Sequence, residues 1–142
     1  MKHILVISLL LLANSAMAKC VDEPAKAYML WKEARNQPIE AQRAVLDVLH
    51  HRMLKSRLTA CKELMKPSQY PYMKHGVKPV SKEWLEHYRK VRKFPRVLPC
   101  TYLFFNHTPH KWGNNTKKIG GLYFSEGIWQ KDKQQRISLR KR

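Results

Sequence analysis

The sequence predicts an α+β protein, mainly helical, folded as one domain with a small β segment near the C-terminus. Three observations carry this. Apolar residues recur with helical spacing through the first two thirds of the chain. Beyond Phe94 that spacing gives way to short aromatic runs interrupted by Pro95, Pro99 and Pro109. The 142-residue chain holds no repeat and no linker, and once an 18-residue leader is set aside the remaining 124 residues suit a single core.

The leader comes first. Lys2 and His3 give a positive start, residues 4–13 an apolar stretch, and Ala16-Met17-Ala18 an A-x-A cleavage signal, so a mature chain would begin at Lys19. The apolar stretch falls short of the roughly 18–20 residues a membrane-spanning helix needs, so no stable anchor is expected. Lys19 before Cys20 argues against lipid attachment, which needs a small residue there.

A first helix is predicted over 24–35, with Ala27, Leu30, Trp31 and Ala34 on one face and Glu33 at its edge. Pro38 suits the start of a second helix to about residue 54, whose buried stripe is Ala41, Ala44, Val45, Val48 and Leu49. Residues 58–65 suit a short third helix, stopped before Pro67. A loop over 68–79 follows, punctuated by Pro71, Gly76 and Pro79. Ser81 is placed to accept free amides at the start of a fourth helix, with Trp84, Leu85, Tyr88 and Val91 at helical spacing. Residues 101–105 and 122–124 read as two short strands around a Gly/Asn-rich loop. The domain is therefore expected over 19–130, with 131–142 a basic tail that has little to bury.

The formal charge is +18; Lys2 alone of the basic residues lies in the leader, so 27 basic residues face 10 acidic ones in the mature chain, a net +17. Such a charge favours a polyanionic partner. Nucleic acid would be the first expectation for a cytoplasmic protein. Export redirects it to the anionic polymers of the cell envelope, and a secreted or periplasmic monomer that binds no nucleic acid is expected. In an oxidising compartment Cys61 and Cys100, both inside the domain, are the expected disulfide, with Cys20 left at a frayed N-terminus. That bridge would close a loop of about 40 residues, a contribution of about 3–4 kcal/mol. No C-x-x-C occurs, and no metal or cofactor site is predicted.

For chemistry, a lone acid at the end of an apolar helix stands out. Cleaving a glycosidic bond requires a carboxylic acid that stays protonated near neutral pH, which burial against apolar or aromatic groups favours. Glu33 has Tyr28, Leu30 and Trp31 within a turn, against the alternative of a surface glutamate paired with Lys32, Arg35 or Asn36. Glu40 and Asp47, on the second helix, have the spacing of a solvated face, so a paired-carboxylate site is not evident. His107-x-x-His110 could pair on a metal, but Pro109 between them removes the helical geometry that brings such histidines together. A zinc amidase or a basic secreted nuclease using His107 and His110 is the competing class, and a noncatalytic wall-binding or membrane-disrupting protein a third.

Around Glu33 the residues form a larger pattern. Trp31-Lys32-Glu33-Ala34-Arg35-Asn36-Gln37-Pro38, then Ala41-Gln42-Arg43-Ala44-Val45 and His51-Arg52, resemble the E-A-R-G-E-P…G-Q-x-A-V-A…N-R opening of the spore cortex-lytic and phage cell-wall hydrolase family. The segment from Cys61 to Pro67-Ser68-Gln69-Tyr70 is similar to that family's C-x-V-x…Q-F-S. Thr101-Tyr102-Leu103-Phe104-Phe105-Asn106 through Trp112 to Ile119-Gly120-Gly121-Leu122-Tyr123-Phe124 is similar to its A-x-Y-F…P-x-W…I-G-N-H-x-F-Y closing. The likeness covers about residues 28–124, in order.

The resemblance implies a lysozyme-like domain that cuts peptidoglycan between N-acetylmuramic acid and N-acetylglucosamine, with Glu33 as catalytic acid and no cofactor. The family's second glutamate is Gln37 here and its glycine Asn36. A single-acid mechanism, lytic transglycosylation, matches the scarcity of carboxylates, and a phage endolysin is the expected role. Gln37, Gln69, Tyr70, Tyr102, Asn106 and Tyr123 are the candidate sugar contacts, because amides bond hydroxyls and aromatic rings stack on sugar faces.

Overall fold

The computed structural model describes residues 20–109 and 113–126. The leader 1–18, the tail 131–142, His110 and Trp112 lie outside the described residues. Helix α1 spans Asp22–Ala34, α2 Ile39–Ser56, α3 Ala60–Leu64 and α4 Lys82–Lys93, with a 3-10 helix at Pro71–His75. Strands β1 (Phe104–Asn106), β2 (Lys117–Ile119) and β3 (Leu122–Ser125) form an antiparallel sheet in the order β1-β3-β2. The protein is thus α+β and mainly helical, as the sequence predicts.

The longest helix, α2, is the hub: it packs against α1, α3, α4 and both outer strands. Its predicted stripe of Ala41, Ala44, Val45, Val48 and Leu49 is buried. Leu30 and Ala34 of α1, Tyr88 and Val91 of α4, and Leu122 and Phe124 of β3 complete the same core. Removing this much apolar surface from water is the dominant favourable contribution to folding. Ser81 caps α4 as expected, its hydroxyl accepting from the Trp84 amide at 3.1 Å, and Thr59 does the same for Lys62 on α3. The Trp84 indole N–H then donates to the Ala27 carbonyl (2.9 Å), fastening α4 to α1.

Several expectations are corrected. The disulfide joins Cys20 to Cys61, Cα atoms 6.0 Å apart, and Cys100 is free and exposed. Residue 20 is not frayed: α1 starts at Asp22, whose carboxylate accepts the Cys61 amide (3.1 Å), and this docks the chain start on α3. Asp47 is buried rather than solvated; it binds the Arg43 guanidinium at 2.9 Å and accepts the Val97 and Leu98 amides at 2.8 and 3.1 Å. Trp31 lies at the surface, stacked on Tyr28 with Arg35 over its ring. The stretch predicted as a loop contains the 3-10 helix, and Lys117–Ile119 is a strand that its exposed lysines concealed.

The hairpin of β2 and β3 is held against the α1–α2 turn by one side chain. Gln37 accepts the Gly121 amide at 2.7 Å. Gly120 has φ +59°, and a side chain there would meet the Pro38 ring at 2.8 Å; one at Gly121 would meet the Gln37 amide at 3.0 Å.

Candidate active site

Glu33 occupies the last turn of α1, near the His107 that follows β1, and its side chain is only 18% exposed. The two carboxylate oxygens have different surroundings. Oε1 accepts a 2.8 Å hydrogen bond from the Tyr72 hydroxyl. Oε2 faces His107 Nε2 at 3.9 Å, beyond direct hydrogen bonding, and has no hydrogen-bond partner among the described residues.

Tyr72 comes from the 3-10 helix, which Pro71 opens by pre-setting the first backbone angle of the turn. Its ring packs edge-on against Tyr28 (5.8 Å between centroids) and Tyr70 (6.2 Å). Burial, then the adjacent Glu33 charge, pushes the Tyr72 hydroxyl well above the usual phenol range, so it stays a proton donor to the carboxylate. Tyr70 is pushed up to about 12, also by burial, with the nearby Arg52 acting against it. Arg52 donates to the Tyr70 hydroxyl at 3.0 Å and to the Leu103 carbonyl, which links α2, the 70–72 segment and the approach to β1.

Two grooves flank this cluster. One, of about 400 Å³, runs between α1 and residues 78–81, lined by Tyr28, Trp31 and Lys32. The other, of about 370 Å³, is lined by Arg52, Lys55, Lys66, Gln69, Leu103 and Phe104. Ring contacts bridge them, from Tyr28 to Tyr72, on to Tyr70, and then to the Arg52 guanidinium 5.8 Å from the Tyr70 ring. Glu33 joins that bridge through Tyr72 and itself lines neither groove.

Compared with protein-family models, curated proteins and solved structures, the chain finds no match.

The candidate sugar contacts fall into three groups. Gln69 is exposed on the second groove, and Tyr70 is buried behind Glu33's partner Tyr72. Asn106 and Tyr123 face one another across β1 and β3, with Tyr123 half-buried and Lys118 over its ring. Asn106 also accepts the amide of His107, which aligns the strand end that carries His107 towards Glu33. Gln37 and Tyr102 are committed elsewhere: Gln37 to the hairpin, and Tyr102, largely buried, to the Asn115 carbonyl (2.9 Å). Sequence reasoning missed Tyr72 and Arg52 as site residues. Arg52 belongs to the motif quoted above, so a signal for it existed; Tyr72 sits in a segment that reads as a proline-rich loop.

Among the described residues no three His, Cys, Asp or Glu side chains converge as a metal site requires, and His110 lies outside them. None of the other described carboxylates shares a hydrogen bond with Glu33 or Tyr72. Asp47 and Glu63 are buried in pairs with Arg43 and Lys66, and Glu23 is bound by Arg89. The arrangement offers one oriented acid, one oxygen without a hydrogen-bond partner among the described residues and a histidine within reach of a bridging group.

Proposed function

We propose that the protein is an exported peptidoglycan-degrading enzyme, of the lysozyme-like kind its motifs resemble, that cleaves the glycan strand between N-acetylmuramic acid and N-acetylglucosamine as a lytic transglycosylase. The observation that carries this reading is the half-shielded Glu33 carboxylate, oriented through one oxygen by Tyr72 while the other has no hydrogen-bond partner among the described residues. The flanking grooves suit an extended polymer, and the disulfide suits an oxidising compartment. A phage endolysin is the role we favour.

In this mechanism protonated Glu33 delivers its proton from Oε2 to the glycosidic oxygen, and the bond from that oxygen to the muramic C1 breaks. The resulting carboxylate then takes the proton of the muramic 6-hydroxyl as O6 attacks C1, which closes a 1,6-anhydro ring and restores the acid. One carboxyl group serves both steps, in keeping with the absence of a second carboxylate bonded to it among the described residues. Tyr72, unable to ionise near neutral pH, holds the group in one orientation through both.

Digestion of purified peptidoglycan by wild type and Glu33→Gln, followed by mass spectrometry of the soluble products, tests this. Anhydro-muropeptides from wild type alone are expected. Reducing ends would mean hydrolysis, free stem peptides an amidase, and an active Glu33→Gln would overturn the assignment. The 3.9 Å approach of His107 to Glu33 favours a histidine-dependent hydrolase as the second reading. Loss of activity with chelator and in His107→Ala, with Glu33→Gln unaffected, would select a zinc amidase; clearing of DNA would select a nuclease.

A further inference from the structure

A third groove, of about 290 Å³, lies on α2 and α4 and shares no residue with the Glu33 cluster. Its rim carries Lys26, Arg43, His50, Arg92 and Arg96, and its floor is Leu46, Leu49 and Tyr88. One of the cations is built in. Arg43 is only 11% exposed, its Nε bound to the buried Asp47 and its Nη1 to the Arg92 carbonyl. Asp47 is itself fixed by the Val97 and Leu98 amides. Arg96 donates to His50 Nε2 (3.1 Å), so this imidazole is neutral and presents its lone pair to the guanidinium. Burial, then Arg96, lowers the His50 pKa, as expected of an imidazole in a cationic recess.

The acids nearby do not cancel the charge. Asp47 is spent on Arg43 and two amides, and Glu23, the other acid near Lys26 and Arg92, is bound by Arg89 at 2.8 Å. Lys26, Arg92 and Arg96 therefore converge on one recess without a carboxylate partner among the described residues. Guanidinium forks match phosphoryl oxygens bidentately, and several cations around one recess suit a dianion better than a monovalent carboxylate.

We infer that this groove is a phosphoryl-binding site, separate from the cleavage site, gripping a phosphomonoester by Arg92, Arg96 and Lys26 over the Arg43–Asp47 pair. Its ligand chemistry is shared by lipid headgroups and by soluble phosphorylated sugars.

The test follows the His50 ring resonances by NMR during titration with inorganic phosphate and, separately, with vesicles of phosphatidylcholine with and without phosphatidic acid. Three proteins are compared: wild type, Arg92→Ala/Arg96→Ala, and the control Lys62→Ala/Lys74→Ala, which removes the same charge from exposed positions elsewhere. A saturable shift in wild type and the control, weakened at least about tenfold in Arg92→Ala/Arg96→Ala, is expected. Saturation by phosphate alone assigns a soluble ligand; binding to phosphatidic acid vesicles as well assigns a headgroup. No saturable shift, or equal weakening in both variants, would overturn the site. Circular dichroism confirms that all three are folded, and because Arg43 bonds only the backbone carbonyl of residue 92, that anchor survives Arg92→Ala.

Discussion

Glu33 owes its candidacy to the unequal treatment of its two oxygens, and Tyr72 is the cause. Losing a hydrogen bond to a charged group costs about 1.5–3 kcal/mol, so Tyr72→Phe should lower kcat about ten- to a hundredfold, with KM and circular dichroism little changed. The tyrosines also set an alkaline limit. Tyr70, Tyr72 and Tyr88 are all raised by burial, so the folded state keeps protons that the unfolded chain loses from about pH 10. Stability should therefore fall as pH rises from 10 towards the Tyr70 value of about 12. Absorbance at the tyrosinate band should show these three of the six tyrosines ionising only as far-UV ellipticity is lost. Ionisation of all six with ellipticity intact would contradict the burial described. At this scale periodicity places Glu33 only at the edge of an apolar helix face, and its candidacy in the sequence comes from the motif resemblance around it. Tyr72 was not legible, because its pairing with Glu33 spans 39 residues and no local pattern encodes it.

The helices were legible as elements, their buried stripes and the Ser81 cap appearing where spacing and capping chemistry put them. What escaped was long-range docking. Cys20 reads from sequence as terminal, yet the Asp22 carboxylate brings it to Cys61. The bridge spans 41 residues and should contribute about 3–4 kcal/mol. Cys61→Ser should thus lower the melting temperature by many degrees, whereas Cys100→Ser should leave it unchanged, as differential scanning calorimetry can measure. The β hairpin gives a finer test. Gln37→Glu keeps an acceptor for the Gly121 amide and should melt close to wild type; Gln37→Leu removes the tether, leaving the exposed amide to water, and should cost about 0.5–1.5 kcal/mol. Equal melting of both would remove Gln37 as the hairpin's tether. Strand β2 was missed because two exposed lysines in three residues carry no inward-facing signal; its pairing with β3 supplies the strand character.

Over the described residues of the molecule the positive charge is not one diffuse coat. Part of it is structural, as in Arg43 and Arg52, part lines the grooves beside Glu33, and part gathers on the separate recess of α2 and α4. Net charge is plain in composition, but its division among these places depends on how α2 packs against the other helices and the sheet. Binding to isolated cell walls should weaken several-fold between about 0.02 and 0.5 M salt, since exposed charges are screened beyond about 10 Å at 0.1 M. A pull-down across that range measures it, and salt-independent retention would mean that apolar or sugar contacts dominate.

The meeting of the α1–α2 turn with the hairpin tip has a consequence for how this sequence can drift. Gly120 is doubly constrained, by a left-handed backbone and by the Pro38 ring, so no change at position 38 alone would free it. At Gly121 the nearest obstacle is the side-chain amide of Gln37. Positions 37 and 121, 84 residues apart, should therefore covary. A shorter side chain at the first would license alanine at the second, and pairwise mutational scanning should recover that rescue while finding none for position 120.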